Sequence, residues 1–104
     1  DRHVDFTDRN RLQIDGPTDE VMDLGRLEDK WTAFGWNTMR VDGHDVTEID
    51  RAIREAGTRG GPAMIILDTV KGKGADFCEG SADNHNLAFD CETAAAAIAR
   101  LRQA

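Results

Sequence analysis

The stretch AMIILD, residues 63–68, constrains the fold of this chain more than any other feature. It is a continuous apolar run of strand length, preceded by Pro62 and ended by Asp68. A strand that is apolar at successive positions must be covered on both faces, which is typical of a parallel sheet packed between helices. We therefore expect this run to lie inside a parallel sheet.

Two more strands and three helices are predicted around this run. HVDFT, residues 3–7, places Val4 and Phe6 on one face of a strand, and NTMRV, residues 37–41, is a second extended segment. Apolar stripes at helical spacing predict the helices. The stripes are Leu27, Trp31 and Phe34; Val46, Ile49, Ile53 and Ala56; and Ala94, Ala97, Ile98 and Leu101.

Glycine and aspartate residues mark the expected helix ends. Gly35 and Gly57 follow the first two stripes and predict stops. Asp45, with Glu48 three residues later, is typical of an N-terminal capping box, and Asp90 can cap the last helix. The order strand, loop, helix, strand, helix, strand, loop, helix predicts an α/β fold, with three strands of a partial doubly wound parallel sheet and crossover helices.

Length and charge exclude several classes of protein. A chain of 104 residues with a net charge of -7 forms at most one domain, and its scattered basic residues do not form a nucleic-acid-binding face. No apolar run approaches the ~18 residues of a membrane span, and no signal-peptide pattern is present. Cys78 and Cys91 have neither C-x-x-C nor zinc-site spacing. We therefore expect a cytoplasmic protein with free thiols and neither nucleic-acid nor membrane partners.

The segment TDRNRLQIDG, residues 7–16, follows the first strand and allows several interpretations. DRN has the spacing of the first calcium-loop ligands, but Leu12 and Gln13 stand where such a loop needs an oxygen ligand and a glycine. A polar hairpin is one alternative, with Asn10 in a left-handed conformation and the turn at Asp15-Gly16. A ligand site is another, because parallel sheets bind ligands beyond the carboxyl ends of their strands.

A second candidate loop, opened by TVKGKG at residues 69–74, follows the AMIILD run. It lacks the spacing of a Walker motif, so by itself it is either an exposed basic turn or an anion-binding loop. His85, farther along the same loop, is either a surface histidine or a proton-transfer group.

Five motifs in succession carry a resemblance to a known family. DRNRLQIDG, WTAFGW, VDGHD, TVKGKG and NHN resemble, in order and approximate spacing, the amino-terminal thiamine-diphosphate-binding region of transketolase, especially the separate amino-terminal subunit of split bacterial enzymes. The resemblance implies that residues 1–104 are the carboxyl-terminal portion of that domain. The family's GDG motif is expected upstream, and the start of the chain at Asp1, without Met, agrees with a piece of a longer protein.

The resemblance implies a site for thiamine diphosphate and Mg²⁺ or another divalent cation. Asn10 matches the family's metal-binding asparagine, and Leu12 matches the residue whose backbone carbonyl is a second metal ligand. Ile14 matches an apolar residue that packs on the thiazolium ring. Magnesium prefers hard oxygen ligands, which an amide and a carbonyl supply.

The second loop matches the family in the same way. Lys71 matches a lysine beside the cofactor diphosphate, and Val70 matches a residue in apolar contact with the cofactor. A lysine ammonium is a suitable point charge for phosphate. His85 matches a catalytic histidine that faces the substrate, although Asn84 and Asn86 flank it where the commoner pattern has glycine after the histidine.

The activity implied is that of a transketolase of the pentose phosphate pathway, which transfers a two-carbon ketol unit between sugar phosphates. The cofactor supplies the nucleophile and electron sink, and a carboxyl-terminal pyrimidine-binding domain or subunit completes a homo- or hetero-oligomer. This chain alone is expected to be inactive. Two alternatives stay open: another thiamine-diphosphate enzyme, such as a deoxyxylulose-phosphate synthase or a 2-oxoacid dehydrogenase subunit, and a non-catalytic α/β interaction module.

Overall fold

Ten elements of secondary structure follow one another along residues 3–103, the part of the chain that the computed structural model describes. They are β1 (Val4–Arg9), β2 (Leu12–Gln13), β3 (Gly16–Pro17), α1 (Thr18–Val21), α2 (Leu27–Ala33), β4 (Asn37–Asp42), α3 (Val46–Thr58), β5 (Ala63–Asp68), a 3₁₀ helix (Ala82–His85) and α4 (Cys91–Leu101). They divide into two units. The first comprises residues 3–10 and Leu24–Thr69, and the second comprises Arg11–Asp23 and residues 70–103.

A three-stranded parallel sheet forms the core of the first unit. β5 lies between β1 and β4, and Ala63 pairs with both Val4 and Asn37. Ile65 and Ile66 are both fully buried. Because successive strand residues point to opposite faces, both faces of β5 are covered. The α/β class, the parallel sheet and the covering of the AMIILD run on both faces are therefore confirmed.

The two crossover connections of this unit move across the sheet in opposite directions. The chain passes from β1 through α2 to β4, skips the position of β5, and then returns through α3 to β5. Since such crossovers are right-handed, α2 and α3 lie on opposite faces of the sheet, which makes it doubly wound. Both helices pack on β4, and α3 also contacts β5.

The predicted cap of α3 is confirmed in part. The Asp45 carboxylate accepts hydrogen bonds from the backbone N–H groups of Thr47 and Glu48, at 2.8 and 3.2 Å. In a capping box, the Glu48 carboxylate would return to the N–H of Asp45. It instead accepts from the N–H of Asp42, at 3.0 Å, and so joins the helix to the end of β4.

The apolar stripe of α3 is wrong in two positions. Ala52 and Ala56 are buried, whereas Val46 is 78% exposed and Ile53 is also exposed. The methyl side chains of the two alanines allow the helix backbone to approach the sheet closely, so the larger apolar residues are displaced to the sides. Gly57 does not end the helix, which continues through Thr58.

In α2, Leu27 and Trp31 are half-buried, but Phe34 lies beyond the last helical residue and is 82% exposed. Phe34 therefore lies outside the helix whose apolar stripe it was predicted to continue. The chain reverses at Gly35, which has a positive φ of 85°, and the Trp31 and Trp36 rings then meet edge to face, 5.1 Å apart. The glycine stop predicted there is confirmed.

A short antiparallel hairpin opens the second unit, where Leu12 pairs with Pro17 and Gln13 with Gly16. The hairpin interpretation of this segment is confirmed, but its details differ from the prediction. The turn is at residues 14–15 rather than at Asp15-Gly16, and the left-handed residue is Arg11, with a φ of 60°, rather than Asn10.

The second unit ends in α4, which begins after the predicted cap. The Asp90 carboxylate accepts from the N–H of Thr93, at 2.8 Å. Ala97 is buried and Ala94 half-buried, whereas Ile98 and Leu101, predicted to share a face with them, are exposed. Both cysteines are free thiols, Cys78 buried and Cys91 exposed. Within residues 3–103, every helix is too short or too polar to cross a lipid bilayer.

Candidate functional site

Two candidate segments leave the sheet side by side in the first unit. Arg9 at the end of β1 is the register partner of Asp68 at the end of β5, and the N–H of Thr69 donates to the carbonyl of Arg9 at 3.3 Å. The Thr69 hydroxyl also donates to the Asp8 carboxylate. β1 ends two residues beyond the HVDFT segment predicted, at Arg9, so Asn10 is the first residue past its carboxyl end.

A network of charges ties these strand ends together. The Asp68 carboxylate lies 3.5 Å from the Arg9 guanidinium and accepts a hydrogen bond from Arg40, which in turn lies 3.2 Å from Glu28. The hydrogen bond to Asp68 raises the pKa of Arg40 above its ordinary value. A hydrogen bond from its own backbone N–H, with a smaller contribution from Arg40, lowers the pKa of Glu28. The network joins all three strands and α2, and sequence reasoning missed it.

Gly43 allows the turn after β4 to approach the end of β5. Its N–H donates to the carbonyl of Asp68 at 2.8 Å. A Cβ atom at this position would collide with the Thr69 methyl group and would lie 2.9 Å from the Leu67 Cβ. The glycine of the VDGHD motif is therefore required by close packing.

In the second unit, the predicted residues Leu12 and Ile14 lie on the hairpin. Leu12 is half-buried in β2, while Ile14 occupies the turn and is 57% exposed. An exposed apolar residue at a hairpin tip offers a contact surface to a flat apolar ring.

Val70 and Lys71 begin the long loop of the second unit. Val70 is exposed and Lys71 is half-buried. Within the second unit, Lys71 forms no ion pair with any described carboxylate, whereas Lys73 pairs with Glu79 at 3.2 Å. A half-buried cation without a counter-charge is suited to bind an anion.

Residues 71–80, here called the 71–80 loop, close on themselves. The N–H of Gly80 donates to the carbonyl of Lys71 at 2.8 Å, and the Glu79 carboxylate accepts from the N–H of Gly74 at 2.8 Å. Gly72 and Gly74 have positive φ angles of 72° and 87°. These contacts hold Lys71 at the start of an ordered turn.

His85 is the last residue of the 3₁₀ helix and is exposed. Its neighbour Asn84 packs against the 71–80 loop, since a Cβ atom at Gly72 would collide with the Asn84 amide nitrogen. The second unit thus brings the segment that carries His85 next to the loop that begins with Lys71. His3 and His44, for which no catalytic role was predicted, belong to the first unit, where the exposed His3 lies 2.9 Å from Asp5.

A metal site made of side chains is not found among residues 3–103, because no three His, Cys, Asp or Glu residues are grouped to hold an ion. The predicted ligands are of a different kind. Asn10, in the first unit, has an amide oxygen, and Leu12, in the second, has a backbone carbonyl; both stay predicted ligands. Oxygen donors of this type suit Mg²⁺ when other ligands and phosphate complete the shell.

Two curated relatives that resemble this chain are named as transketolase subunits. It is 47% identical over 104 residues to the 6-deoxy-6-sulfo-D-fructose transketolase subunit SqwG of Clostridium sp. strain MSTE9, covering 99% of this chain and 38% of the relative. It is 44% identical over 87 residues to an apulose-4-phosphate transketolase subunit of Phocaeicola vulgatus, covering 83% of this chain and 31% of the relative. The chain therefore spans less than two fifths of the length of these relatives.

The fold is also that of solved transketolases. The transketolase of Campylobacter jejuni superposes with a TM-score of 0.87 at 26% identity, over 96% of this chain and 16% of the other. Residues 1–103 match the family model described as the transketolase thiamine diphosphate binding domain. The chain therefore belongs to the family of transketolase thiamine-diphosphate-binding domains.

Proposed function

We propose that residues 1–104 form the carboxyl-terminal portion of the cofactor domain of a transketolase that transfers a two-carbon ketol unit between sugar phosphates. Thiamine diphosphate, when bound, supplies the nucleophile and the electron sink. The residues of this chain bind the cofactor and its cation, and act on protons of the substrate. Membership of the family supports this proposal, together with the charge arrangement at Lys71.

The ammonium of Lys71 is the feature that favours a diphosphate most directly. The chain has 20 acidic residues against 13 basic ones, yet within the second unit no described carboxylate neutralises this half-buried lysine. A lysine ammonium that no carboxylate of the unit neutralises is available to pair with a phosphate oxygen. Lys71 is therefore the residue that we assign to the cofactor diphosphate.

The metal ligands proposed are the Asn10 amide oxygen and the Leu12 carbonyl. Asn10 stands at the carboxyl end of β1, beside the end of β5, which is the edge where parallel sheets bind ligands. Mg²⁺ or another divalent cation would take the remaining ligands from the diphosphate and from other residues. Ile14 and Val70, both exposed and apolar, are proposed to contact the rings of the cofactor.

The proposed partner is a pyrimidine-binding carboxyl-terminal domain or subunit. Two of the relatives are named as transketolase subunits, which supports an enzyme divided between chains. In such an assembly, His85 would face the sugar phosphate. Its imidazole is exposed, and a histidine side chain is suited to move a proton at a substrate hydroxyl.

The test of the diphosphate site compares two lysines of the same loop in the longest natural form of the protein, with its partner subunit where that is separate. A hydrogen bond to a charged group contributes about 1.5–3 kcal/mol, so Lys71→Ala should raise the Kd for thiamine diphosphate at least about tenfold. Lys73→Ala, whose ammonium pairs with Glu79, should change it less than about twofold. Calorimetric titration at saturating magnesium measures both values, and equal effects would refute the assignment of Lys71.

The metal ligand is tested by the magnesium requirement. Asn10→Ala removes an amide oxygen, so cofactor binding should need a much higher magnesium concentration than in the unchanged protein. Asn86→Ala removes an exposed amide from the loop after the 3₁₀ helix and is the matched control. An unchanged magnesium dependence in Asn10→Ala would leave Asn10 as an ordinary residue at a strand end.

A further inference from the structure

We propose that Glu79 is a positioning residue that fixes the conformation of the 71–80 loop and leaves Lys71 as its anion-binding charge. The inference rests on the proposed function, since it assumes that Lys71 binds the cofactor diphosphate. Glu79 itself is not assigned to the cofactor.

The geometry of the Glu79 carboxylate supports this role. One oxygen accepts from the backbone N–H of Gly74 at 2.8 Å, and the other lies 3.2 Å from the Lys73 ammonium. The next residue, Gly80, donates its N–H to the carbonyl of Lys71 at 2.8 Å. Residues 79 and 80 therefore hold both ends of the turn at 71–74, one through a side chain and one through the backbone.

The turn needs such ties because of its glycines. Gly72 and Gly74 both adopt positive φ angles, and glycine gains much conformational entropy when a segment is released. Without the carboxylate, the N–H of Gly74 loses this acceptor and the turn has more conformations available. Lys71 would then spend less time in the orientation that binds an anion.

The carboxylate also separates the two lysines of the loop electrostatically. Glu79 pairs with Lys73 and so neutralises that ammonium, while Lys71 keeps its charge within the second unit. The loop consequently presents one positive charge at a defined place instead of two mobile ones. An anion that binds at Lys71 therefore meets a charge whose position is already fixed, so less conformational entropy is lost on binding.

The experiment uses four variants in the longest natural form of the protein: Glu79→Ala, Glu79→Gln, Glu79→Asp and Lys71→Ala. The glutamine keeps an acceptor for the Gly74 N–H at the same reach, whereas the aspartate keeps the charge but is one methylene shorter. We expect the Kd for thiamine diphosphate at saturating magnesium to rise about five- to tenfold in Glu79→Ala and Glu79→Asp, because the turn loses one hydrogen bond. In Glu79→Gln, which keeps that hydrogen bond and gives up only an exposed ion pair with Lys73, the Kd should stay within about twofold.

A second readout does not depend on the cofactor. Hydrogen exchange of the Gly74 amide, measured without ligand, should accelerate in Glu79→Ala and Glu79→Asp and should remain near the unchanged rate in Glu79→Gln. If glutamine behaves like alanine in both measurements, the hydrogen bond to Gly74 is not the cause, and the proposal is overturned.

The double variant separates this proposal from the proposed function. If Glu79 acts through Lys71, adding Glu79→Ala to Lys71→Ala should weaken cofactor binding no further. Losses that multiply in the double variant would show that Glu79 acts independently and would overturn the positioning role. If Lys71→Ala weakens binding and Glu79→Ala does not, only the inference about Glu79 fails. If Lys71→Ala has no effect, the assignment of Lys71 to the diphosphate fails first.

Discussion

Replacing Gly43 with alanine should destabilise the first unit strongly. The added Cβ would collide with the Thr69 methyl group and would lie 2.9 Å from the Leu67 Cβ and 3.0 Å from the Asp68 carbonyl oxygen. The last two atoms belong to the backbone of β5 or are bonded directly to it, so rotation of a side chain cannot move them away. The turn after β4 would have to withdraw from β5 and would strain the hydrogen bond from Gly43 to Asp68.

The expected magnitude follows from the rigidity of these neighbours. Overpacking of a close-packed site costs about 1–3 kcal/mol, and Gly43→Ala should lie near the upper end because two of its three contacts cannot rotate. Gly57→Ala is the matched control. Gly57 lies inside α3, and a Cβ added there would meet nothing within 4 Å, so the same substitution should raise the free energy of unfolding by roughly 0.5–1 kcal/mol.

Urea unfolding followed by tryptophan fluorescence measures both effects, because Trp31 and Trp36 lie in the first unit. Thr69→Ser tests the cause, since it removes the colliding methyl group and keeps the hydroxyl that donates to Asp8. It should restore part of the lost stability in the Gly43→Ala background and should not stabilise the unchanged protein. A Gly43→Ala protein as stable as the unchanged one would refute the close approach of this turn to β5.

Three further outcomes are expected. The N–H of Thr93 lowers the pKa of Asp90 below its ordinary 3.8, so the cap stabilises the fold above that value and is lost as the pH falls through the lowered pKa. Asp90→Asn keeps a capping oxygen that does not titrate, and its urea midpoint should fall less on acidification; an identical acid dependence would contradict this. Asp68→Asn should lower the free energy of unfolding by at least about 1 kcal/mol, because Arg9 and Arg40 lose their shared counter-charge. Asp50→Asn, which breaks an exposed ion pair with Arg54, is the control and should leave the free energy of unfolding unchanged. In the complete enzyme, His85→Ala should reduce ketol transfer at least about tenfold with the cofactor Kd preserved, and a loss confined to the Kd would move His85 away from the substrate.

Sequence patterns predicted the elements whose pattern is long enough to be distinctive. The AMIILD run has six residues, polar only at its last, and its covering on both faces follows from that pattern. The strands of the hairpin have two residues each, too few for an alternation to be recognised. Phe34 fits a helical stripe by spacing, but the helix ends one residue before it. Which apolar residues face inward depends on the distance between a helix and its sheet. That distance cannot be read from the spacing of apolar residues in the sequence.

The candidate site, too, could be predicted from the sequence only in part. The positions of Asn10 and Lys71 after strands β1 and β5 were predicted, since carboxyl strand ends can be located from the pattern. The hydrogen bond from Gly74 to Glu79 and the ion pair between Arg9 and Asp68 were not predicted. Both depend on side-chain geometry that no local sequence pattern encodes. Charged residues at strand ends are the weak signal that could have suggested the Asp68 network.

The strand order has a consequence for how the first unit is made. β5 is the last of the three strands to be synthesised, yet it lies between the other two, and Val4 pairs with Ala63 across more than half of the chain length. Neither β1 nor β4 can pair with β5 until residues 63–68 have left the ribosome. Pairings so distant in sequence fold slowly, because a long loop must close before the strands gain any hydrogen bonds. During that interval the edges of β1 and β4 that later pair with β5 are exposed, and such edges favour aggregation of the nascent chain.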